Sequence, residues 1–166
     1  MDKYEVLKQY FGYDAFRDGQ EKMIDAITSG RDVLGIMPTG AGKSLCYQIP
    51  ALMAGENGGI TLVISPLISL MKDQVSALNQ AGVHAAYLNS SLTSGQYYKA
   101  LGYAREGRYP IIYVAPERLL TPEFLDFAVH AKIAMVAVDE AHCVSQWGQD
   151  FRPGYLKIEE FLCTLP

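Results

Sequence analysis

Five short apolar segments alternate along the chain with segments of helical spacing, and this alternation restricts the fold more than any other feature. The apolar segments cover residues 33–37, 61–65, 84–88, 111–115 and 135–139, and most are continuous, as in strands covered on both faces. Helical spacing covers residues 20–29, 43–54, 67–80 and 93–108. The alternation predicts an α/β fold with three layers, α/β/α, around a mainly parallel sheet with right-handed crossovers. Pro50 should kink the second helix after Gln48 or end it there.

Length and composition fit one domain over residues 1–166, because 49% of the residues are apolar and can form a substantial core. No apolar run approaches the roughly 20 residues that cross a bilayer, and the N-terminus does not resemble a secretory signal, so we expect a cytoplasmic protein without membrane contacts. The three cysteines form no CxxC pair, which predicts neither a zinc site nor disulfides. The net charge of -4 argues against binding nucleic acid through bulk electrostatics, although a cleft can still hold a strand.

A glycine-rich segment over residues 37–44 follows a predicted strand and opens a predicted helix, which is the setting of a phosphate-binding loop. Gly40 and Gly42 allow the tight turn that directs backbone N–H groups at phosphate oxygens. Lys43 is expected to reach the β and γ phosphates, and the Ser44 hydroxyl to ligate Mg²⁺. The predicted nucleotide-binding residues of this loop are Thr39, Gly40, Ala41, Gly42, Lys43 and Ser44. An ordinary glycine-rich turn with a solvated lysine is the alternative, which the strand-to-helix setting disfavours.

Two carboxylates end the last apolar segment, at the edge where α/β sheets bind ligands. Asp139 is expected to hold Mg²⁺ through its water shell, and Glu140 to orient or deprotonate the water that attacks the γ-phosphorus. His142 is placed to connect this site to a neighbouring element. The alternative is a charged strand end that faces solvent. Together with Lys43, these three residues form the predicted catalytic set, and ATP with Mg²⁺ is the predicted ligand pair.

The segment ahead of the first long helix offers candidates for binding the adenine base. An amide can pair with N6 and N7 of adenine, and an aromatic or guanidinium plane can stack on the base. Gln20, Tyr13 and Arg17 have the side chains for these contacts. A helix N-terminus whose amide faces solvent explains the same residues equally well.

With these segments assembled, the chain resembles the superfamily 2 helicases, and within them the RecQ family of DNA helicases, in the first RecA-like P-loop NTPase domain. The similarity runs along nearly the whole chain. Met37 is usual in the phosphate loop of that family, and the acidic strand end reads Asp139-Glu140-Ala141-His142. The chain departs from the family pattern at Asp18, Gln149 and Gly154. The segments that carry the similarity are residues 12–20, 37–48, 65–75, 115–119 and 139–153.

The resemblance implies a path for single-stranded DNA along this domain. Aromatic rings suit such a path, because a stacked base gains about 1 to 3 kcal/mol whatever its identity. Core packing is the alternative for Trp147 and Phe151, although the polar neighbours of Trp147 favour exposure. Arg152 is placed to meet a phosphate. The implied DNA-binding residues are Ser65, Pro66, Lys72, Gln74, Ala115, Pro116, Glu117, Gln146, Trp147, Phe151 and Arg152.

The resemblance further implies the activity of the parent protein: ATP hydrolysis coupled to 3′ to 5′ movement on single-stranded DNA and to unwinding of duplex DNA, in recombination and repair. It implies that this chain is a fragment, which needs a second RecA-like domain with an arginine finger in cis. Zinc is expected only in the missing C-terminal part. The alternatives are an RNA helicase, a small-molecule kinase or GTPase, and a nucleotide-binding module that never hydrolyses. The sequence lacks an Asn-Lys-x-Asp motif, which disfavours a GTPase, and Glu140 disfavours an inactive module.

Overall fold

A parallel sheet of four strands organises the computed structural model, which describes residues 1–30, 42–65, 68–139 and 158–165. The strands are β1 (Ile60–Ile64), β2 (Ala85–Leu88), β3 (Ile111–Val114) and β4 (Ile133–Val138), in the order β2-β3-β1-β4. Every pairing between them is parallel. Four of the five predicted strands are therefore confirmed, and the segment over residues 33–37 lies outside the described residues.

Helices connect the strands and cover both faces of the sheet. They are α1 (Lys3–Val6), which continues as a π-helical turn over Leu7–Phe11, α2 (Gln20–Thr28), α3 (Leu45–Gly55), α4 (Ile68–Gln80), α5 (Ser94–Arg105), α6 (Pro122–His130) and a further helix over residues 158–164. A short 3-10 turn spans Pro116–Arg118. Helices α2 to α5 match the four segments of helical spacing, and α1, α6 and the helix over residues 158–164 were not predicted.

Helix α3 runs through Pro50, so of the two expected effects of Pro50, a kink or an end of the helix after Gln48, the end is wrong. Pro50 lacks an N–H and therefore cannot donate the hydrogen bond that a regular helix directs from this position at the carbonyl of Cys46. All residues from Cys46 to Leu52 are buried, however, and packing of the helix against the sheet keeps the chain helical to Gly55. Tertiary packing outweighs the local cost of proline here.

The strands alternate between two hydrophobic clusters, one on each face of the sheet. In β1, Val63 packs with α3 and α4 on one face, while Leu62 and Ile64 face the opposite cluster. The second cluster includes Phe124 and Phe161, whose ring centroids lie 5.6 Å apart. Both faces of a parallel sheet are thus covered by helices, and the predicted three-layer α/β/α class is confirmed.

The cysteines and the lengths of the helices bear on two further predictions, which concern disulfides and membrane contacts. Cys46 is buried and Cys163 is exposed, and both are free thiols, whereas Cys143 lies outside the described residues. Burial raises the pKa of the Cys46 thiol and keeps it unreactive. No helix in the described ranges is long and apolar enough to span a bilayer.

Candidate nucleotide-binding site

The carboxyl ends of the parallel strands meet at one edge of the sheet, which we call the carboxyl edge. Three residues that follow strands are held there by backbone hydrogen bonds to the neighbouring strand. The N–H of Asp139 donates to the carbonyl of Ile64 at 2.8 Å, and the N–H of Ser65 to that of Val114 at 3.2 Å. Ala115 is fixed in the same way to Leu88, at 3.0 Å. The strand-end residues are therefore positioned by the sheet itself, and not by free loops.

Lys43 and Asp139 converge at the carboxyl edge. The Lys43 Nζ atom lies 3.8 Å from Asp139 Oδ1, although the two residues are far apart in the sequence. The side chain of Asp139 is 6% exposed and that of Lys43 is 21% exposed. A carboxylate buried to this degree needs charged and hydrogen-bonding partners, and Lys43 supplies one of them. A cation just before a helix, together with a carboxylate at the end of a neighbouring strand, suits the binding of a metal-bound phosphate.

Tyr47 supplies a second partner of Asp139. Its hydroxyl is placed to donate to two acceptors, Gln74 Oε1 at 2.9 Å and Asp139 Oδ2 at 3.2 Å, and it lies 3.0 Å from the hydroxyl of Tyr113. Gln48 Nε2 donates to the Tyr113 hydroxyl at 3.0 Å. Burial raises the pKa of Tyr47 well above its ordinary value, and nearby Tyr113 and Asp139 raise it further. Burial likewise raises the pKa of Tyr113 to about 12, so both phenols keep their protons near neutral pH.

The oxygen donors at this edge fit Mg²⁺. The ion prefers a hydroxyl and one or two carboxylates together with substrate phosphates and water, rather than a cage made only of protein ligands. Ser44 is the residue directly before α3, and Gln74 Nε2 donates to its hydroxyl oxygen at 3.5 Å. In the described ranges, no group of three or more His, Cys, Asp or Glu side chains is arranged to hold a metal. Ser44 and Asp139 bring a hydroxyl and a carboxylate to this edge, which are groups of the kind that bind an ion together with phosphates and water.

Gln20 is buried and contacts the phosphate loop. Its Oε1 accepts from the N–H of Arg17 at 2.7 Å, and its Nε2 donates to the carbonyl of Gly42 at 2.9 Å. Only 1% of the residue is exposed. Binding of adenine by this amide would require both contacts to open. Tyr13 is 53% exposed and Arg17 is also exposed, so the Tyr13 ring and the Arg17 guanidinium group are accessible to a base.

Gly42 is the residue that this arrangement restricts most. Its φ angle is 74°, and a Cβ atom placed there would lie 2.5 Å from Gln20 Nε2. We predict that Gly42→Ala destabilises the fold by about 1 to 3 kcal/mol and weakens nucleotide binding, because backbone strain adds to displacement of Gln20. Urea unfolding and nucleotide titration measure the two effects.

Gly58→Ala is the matched control for this substitution. Gly58 has a φ angle of 80°, but a Cβ atom there meets nothing within 4 Å. The control should show the loss of stability that comes from backbone strain and keep the nucleotide affinity. Equal nucleotide affinity in both variants would show that contact between Gln20 and the loop has no bearing on binding.

The predicted DNA-binding residues that the structure describes fall into two groups. Lys72 and Glu117 are exposed, and Gln74 is partly buried beside Tyr47. Ser65, Ala115 and Pro116 are buried at the carboxyl edge, where Pro116 opens the 3-10 turn. A DNA strand that follows this edge could therefore contact the side chains of the exposed and partly buried residues. It could contact the buried residues only through their backbone.

Several predicted site residues lie outside the described ranges. In the phosphate loop these are Thr39, Gly40 and Ala41. The others are Pro66, Glu140, His142, Gln146, Trp147, Phe151 and Arg152.

The hydrogen bonds among the side chains of Tyr47, Gln48 and Tyr113 were not predicted from the sequence. The signal was present: Tyr47 and Gln48 are polar groups within the apolar segment Leu45–Gly55, and a buried phenol or amide normally has a partner. The pattern of α3 does not reveal which strand supplies that partner.

Comparison with known proteins agrees with this geometry. The profile of the DEAD/DEAH box helicase family matches residues 17–164, which is most of the chain. The chain belongs to the DEAD/DEAH box helicase family. Among its relatives are the ATP-dependent DNA helicase RecQ of Bacillus subtilis, 53% identical over 93% of this chain, and that of Haemophilus influenzae, 49% identical over 97%. The similarity to RecQ helicases predicted from the sequence is confirmed.

Solved structures show the same fold at lower identity. A hypothetical ATP-dependent RNA helicase from Sulfolobus tokodaii matches 98% of this chain and 46% of its own, with a TM-score of 0.72 and 23% identity. The DUF1998 helicase MrfA, bound to DNA and AMPPNP, matches 87% of this chain and 21% of its own, with a TM-score of 0.69 and 18% identity. The chain spans 26% of the length of each of the two RecQ relatives.

Proposed function

We propose that this chain is the ATP-binding motor domain of an ATP-dependent DNA helicase. The observation that carries the proposal is the convergence of Lys43 and Asp139, 3.8 Å apart at the carboxyl edge of a helicase-family domain. The nearby Ser44 adds a hydroxyl that can ligate a metal ion. The buried Tyr47 adds a hydrogen bond to the Asp139 carboxylate. This set of groups suits a metal-bound triphosphate.

Each residue has a distinct role in the proposed hydrolysis. Lys43 turns from Asp139 to the β and γ phosphates and stabilises the negative charge that develops in the transition state. Ser44 and Asp139 would hold the hydrated ion, and Mg²⁺ would supply positive charge that offsets the charge of the phosphates. Glu140 orients or deprotonates the attacking water, and His142 connects the site to a neighbouring element. Tyr13, Arg17 and Gln20 are the proposed base contacts.

The proposed nucleic-acid substrate is DNA, because the RecQ relatives are named DNA helicases. Single-stranded DNA would follow the carboxyl edge past Lys72 and Gln74 to Glu117, and stack on Trp147 and Phe151. Movement from 3′ to 5′, duplex unwinding and service in recombination and repair complete this proposal. The RNA helicase alternative is not favoured by these relatives.

The complete protein is proposed to extend beyond this domain. A second RecA-like domain would supply the arginine that stabilises the transition state, a contribution of about 10³- to 10⁵-fold in rate. We therefore expect slow hydrolysis by the isolated chain. Zinc would bind only in the C-terminal part of the complete protein, and its compartment would be the cytoplasm.

The test compares ATP hydrolysis by the complete protein in the presence of single-stranded DNA and of RNA with the same base sequence. The proposal expects Mg²⁺-dependent hydrolysis that DNA stimulates and RNA does not. Equal stimulation by RNA would support an RNA helicase instead. ATP binding without hydrolysis under all these conditions would support a nucleotide-binding module.

A further inference from the structure

The hydroxyl of Tyr47 has more acceptors than protons. Gln74 Oε1 and Asp139 Oδ2 can only accept hydrogen bonds, and they lie 2.9 and 3.2 Å from the same hydroxyl oxygen. A tyrosine has one proton to donate, so a full hydrogen bond to one acceptor excludes a full bond to the other.

The other hydrogen-bond partners given for the Tyr47 hydroxyl are the hydroxyls of Tyr113 and Ser44, which can donate to its oxygen and leave its own proton for one of the two acceptors. Gln48 Nε2 donates to the Tyr113 hydroxyl, and the proton of Tyr113 is then available for the oxygen of Tyr47, 3.0 Å away. The hydrogen bonds thus run in one direction, from α3 through β3 to Tyr47. The last proton in this series goes either to Asp139 at the end of β4 or to Gln74 on α4.

We propose that Tyr47 is a positioning residue that links nucleotide binding to helix α4 through this single shared proton. The inference rests on the proposed function, because it takes Asp139 as a metal ligand and α4 as part of the DNA path. Without nucleotide, Asp139 interacts with Lys43 through Oδ1 and with Tyr47 through Oδ2. The charged carboxylate is the stronger acceptor and the amide oxygen of Gln74 is the nearer one, at 2.9 Å against 3.2 Å, so without nucleotide the two compete for the proton.

Nucleotide binding changes this balance through residues that the structure already connects. Lys43 turns to the phosphates, and Asp139 engages the hydrated ion with its lone pairs. The Tyr47 hydroxyl then donates its proton fully to Gln74 Oε1. This stronger hydrogen bond holds Gln74, and with it helix α4, more firmly against α3. Helix α4 carries Lys72 on its exposed surface, so its position bears on the proposed DNA contacts. By linkage, DNA that binds α4 in this position strengthens nucleotide binding by the same factor.

The test measures this coupling with Tyr47→Phe in the complete protein. The affinity for a fluorescein-labelled single-stranded oligothymidylate is measured by anisotropy with and without Mg²⁺ and AMPPNP. We expect nucleotide to change the DNA affinity of the unaltered protein by about fivefold, near the lower end for coupled sites. In Tyr47→Phe this ratio should fall to about one, measured at an AMPPNP concentration that saturates the variant, so that a loss of nucleotide affinity does not enter the ratio.

Tyr97→Phe is the matched control, because Tyr97 is a buried tyrosine in the cluster on the opposite face of the sheet. It should keep the coupling ratio of the unaltered protein. An unchanged ratio in Tyr47→Phe, or a ratio of one in the unaltered protein, overturns the inference. Failure of the unaltered protein to bind AMPPNP would instead refute the proposed function.

Hydrogen exchange in the unaltered protein provides a measurement that does not depend on folding of the variant. Addition of Mg²⁺ and AMPPNP should alter amide protection in α4 around Gln74. Helix α5 serves as the internal reference, because it packs in the opposite cluster and has no contact with Tyr47 among the described hydrogen bonds. Unaltered protection in α4 on saturation with nucleotide overturns the role of Tyr47.

Discussion

Lys43→Ala in the complete protein should lower the rate of ATP hydrolysis by about two to three orders of magnitude. The Lys43 ammonium lies just before α3 and faces Asp139 at the carboxyl edge, where the proposed phosphate binds. Its removal deletes a charge that acts on the transferred phosphoryl group in a partly buried site, where electrostatic stabilisation is strong. Nucleotide affinity should fall as well, and steady-state hydrolysis with an ATP titration measures both effects.

Lys132→Ala is the matched control for this change. Lys132 precedes β4 at the opposite edge of the sheet, where its Nζ donates to the carbonyl of Asn57 at 2.7 Å. The control removes the same side chain from the surface and should keep the rate within about twofold, as expected of a residue outside the site. Far-ultraviolet circular dichroism establishes that both variants fold. A folded Lys43→Ala protein with an unaltered rate would contradict the role assigned to Lys43.

Asp139→Asn should raise the Mg²⁺ concentration needed for half-maximal hydrolysis by about 10- to 100-fold, as for other groups that hold a metal through its water shell. The amide is close in shape to the carboxylate and can still accept from Tyr47, so the change removes charge with little loss of packing. ATP binding without Mg²⁺ should be kept or strengthened, because a buried carboxylate no longer repels the triphosphate. Titration of Mg²⁺ in the hydrolysis assay, and of ATP in the presence of a chelator, separates the two effects.

Asp126→Asn provides the comparison for Asp139. Asp126 lies on α6, where its carboxylate accepts from Arg105 at 2.8 Å, and that pairing lowers its pKa. The pair is exposed, so the control should alter stability little and leave the Mg²⁺ dependence unchanged. If Asp139→Asn and Asp126→Asn have the same Mg²⁺ dependence, Asp139 is not a metal ligand.

The sheet and the centre of the site could be predicted because each depends on a strong local rule. Continuous apolar segments indicate strands that are buried on both faces, and β1 and β3 are buried along their whole length. The residue after a parallel strand lies at the carboxyl edge, which places Asp139 near a loop that opens a helix. Lys43 and Asp139 could be paired from the sequence for this reason, although no local pattern connects them.

Other features depend on contacts that no local pattern reveals. Gln20 resembles a polar helix start, yet the carbonyl of Gly42 accepts its amide and the residue becomes buried. Tyr47 shares its proton between two residues that are 27 and 92 positions away in the sequence. Helix α6, in contrast, could have been predicted from a local pattern, because Thr121 and Pro122 at its start form an ordinary helix-start signal.

The central claim is that Lys43 and Asp139 hold one metal-bound triphosphate between them. A crystal structure of the complete protein with Mg²⁺ and AMPPNP tests it most directly. The claim predicts that Lys43 Nζ contacts the β and γ phosphates and that Asp139 hydrogen bonds to the water shell of the ion, which Ser44 ligates. Nucleotide bound away from the carboxyl edge, with the contact between Lys43 and Asp139 still closed, would contradict it.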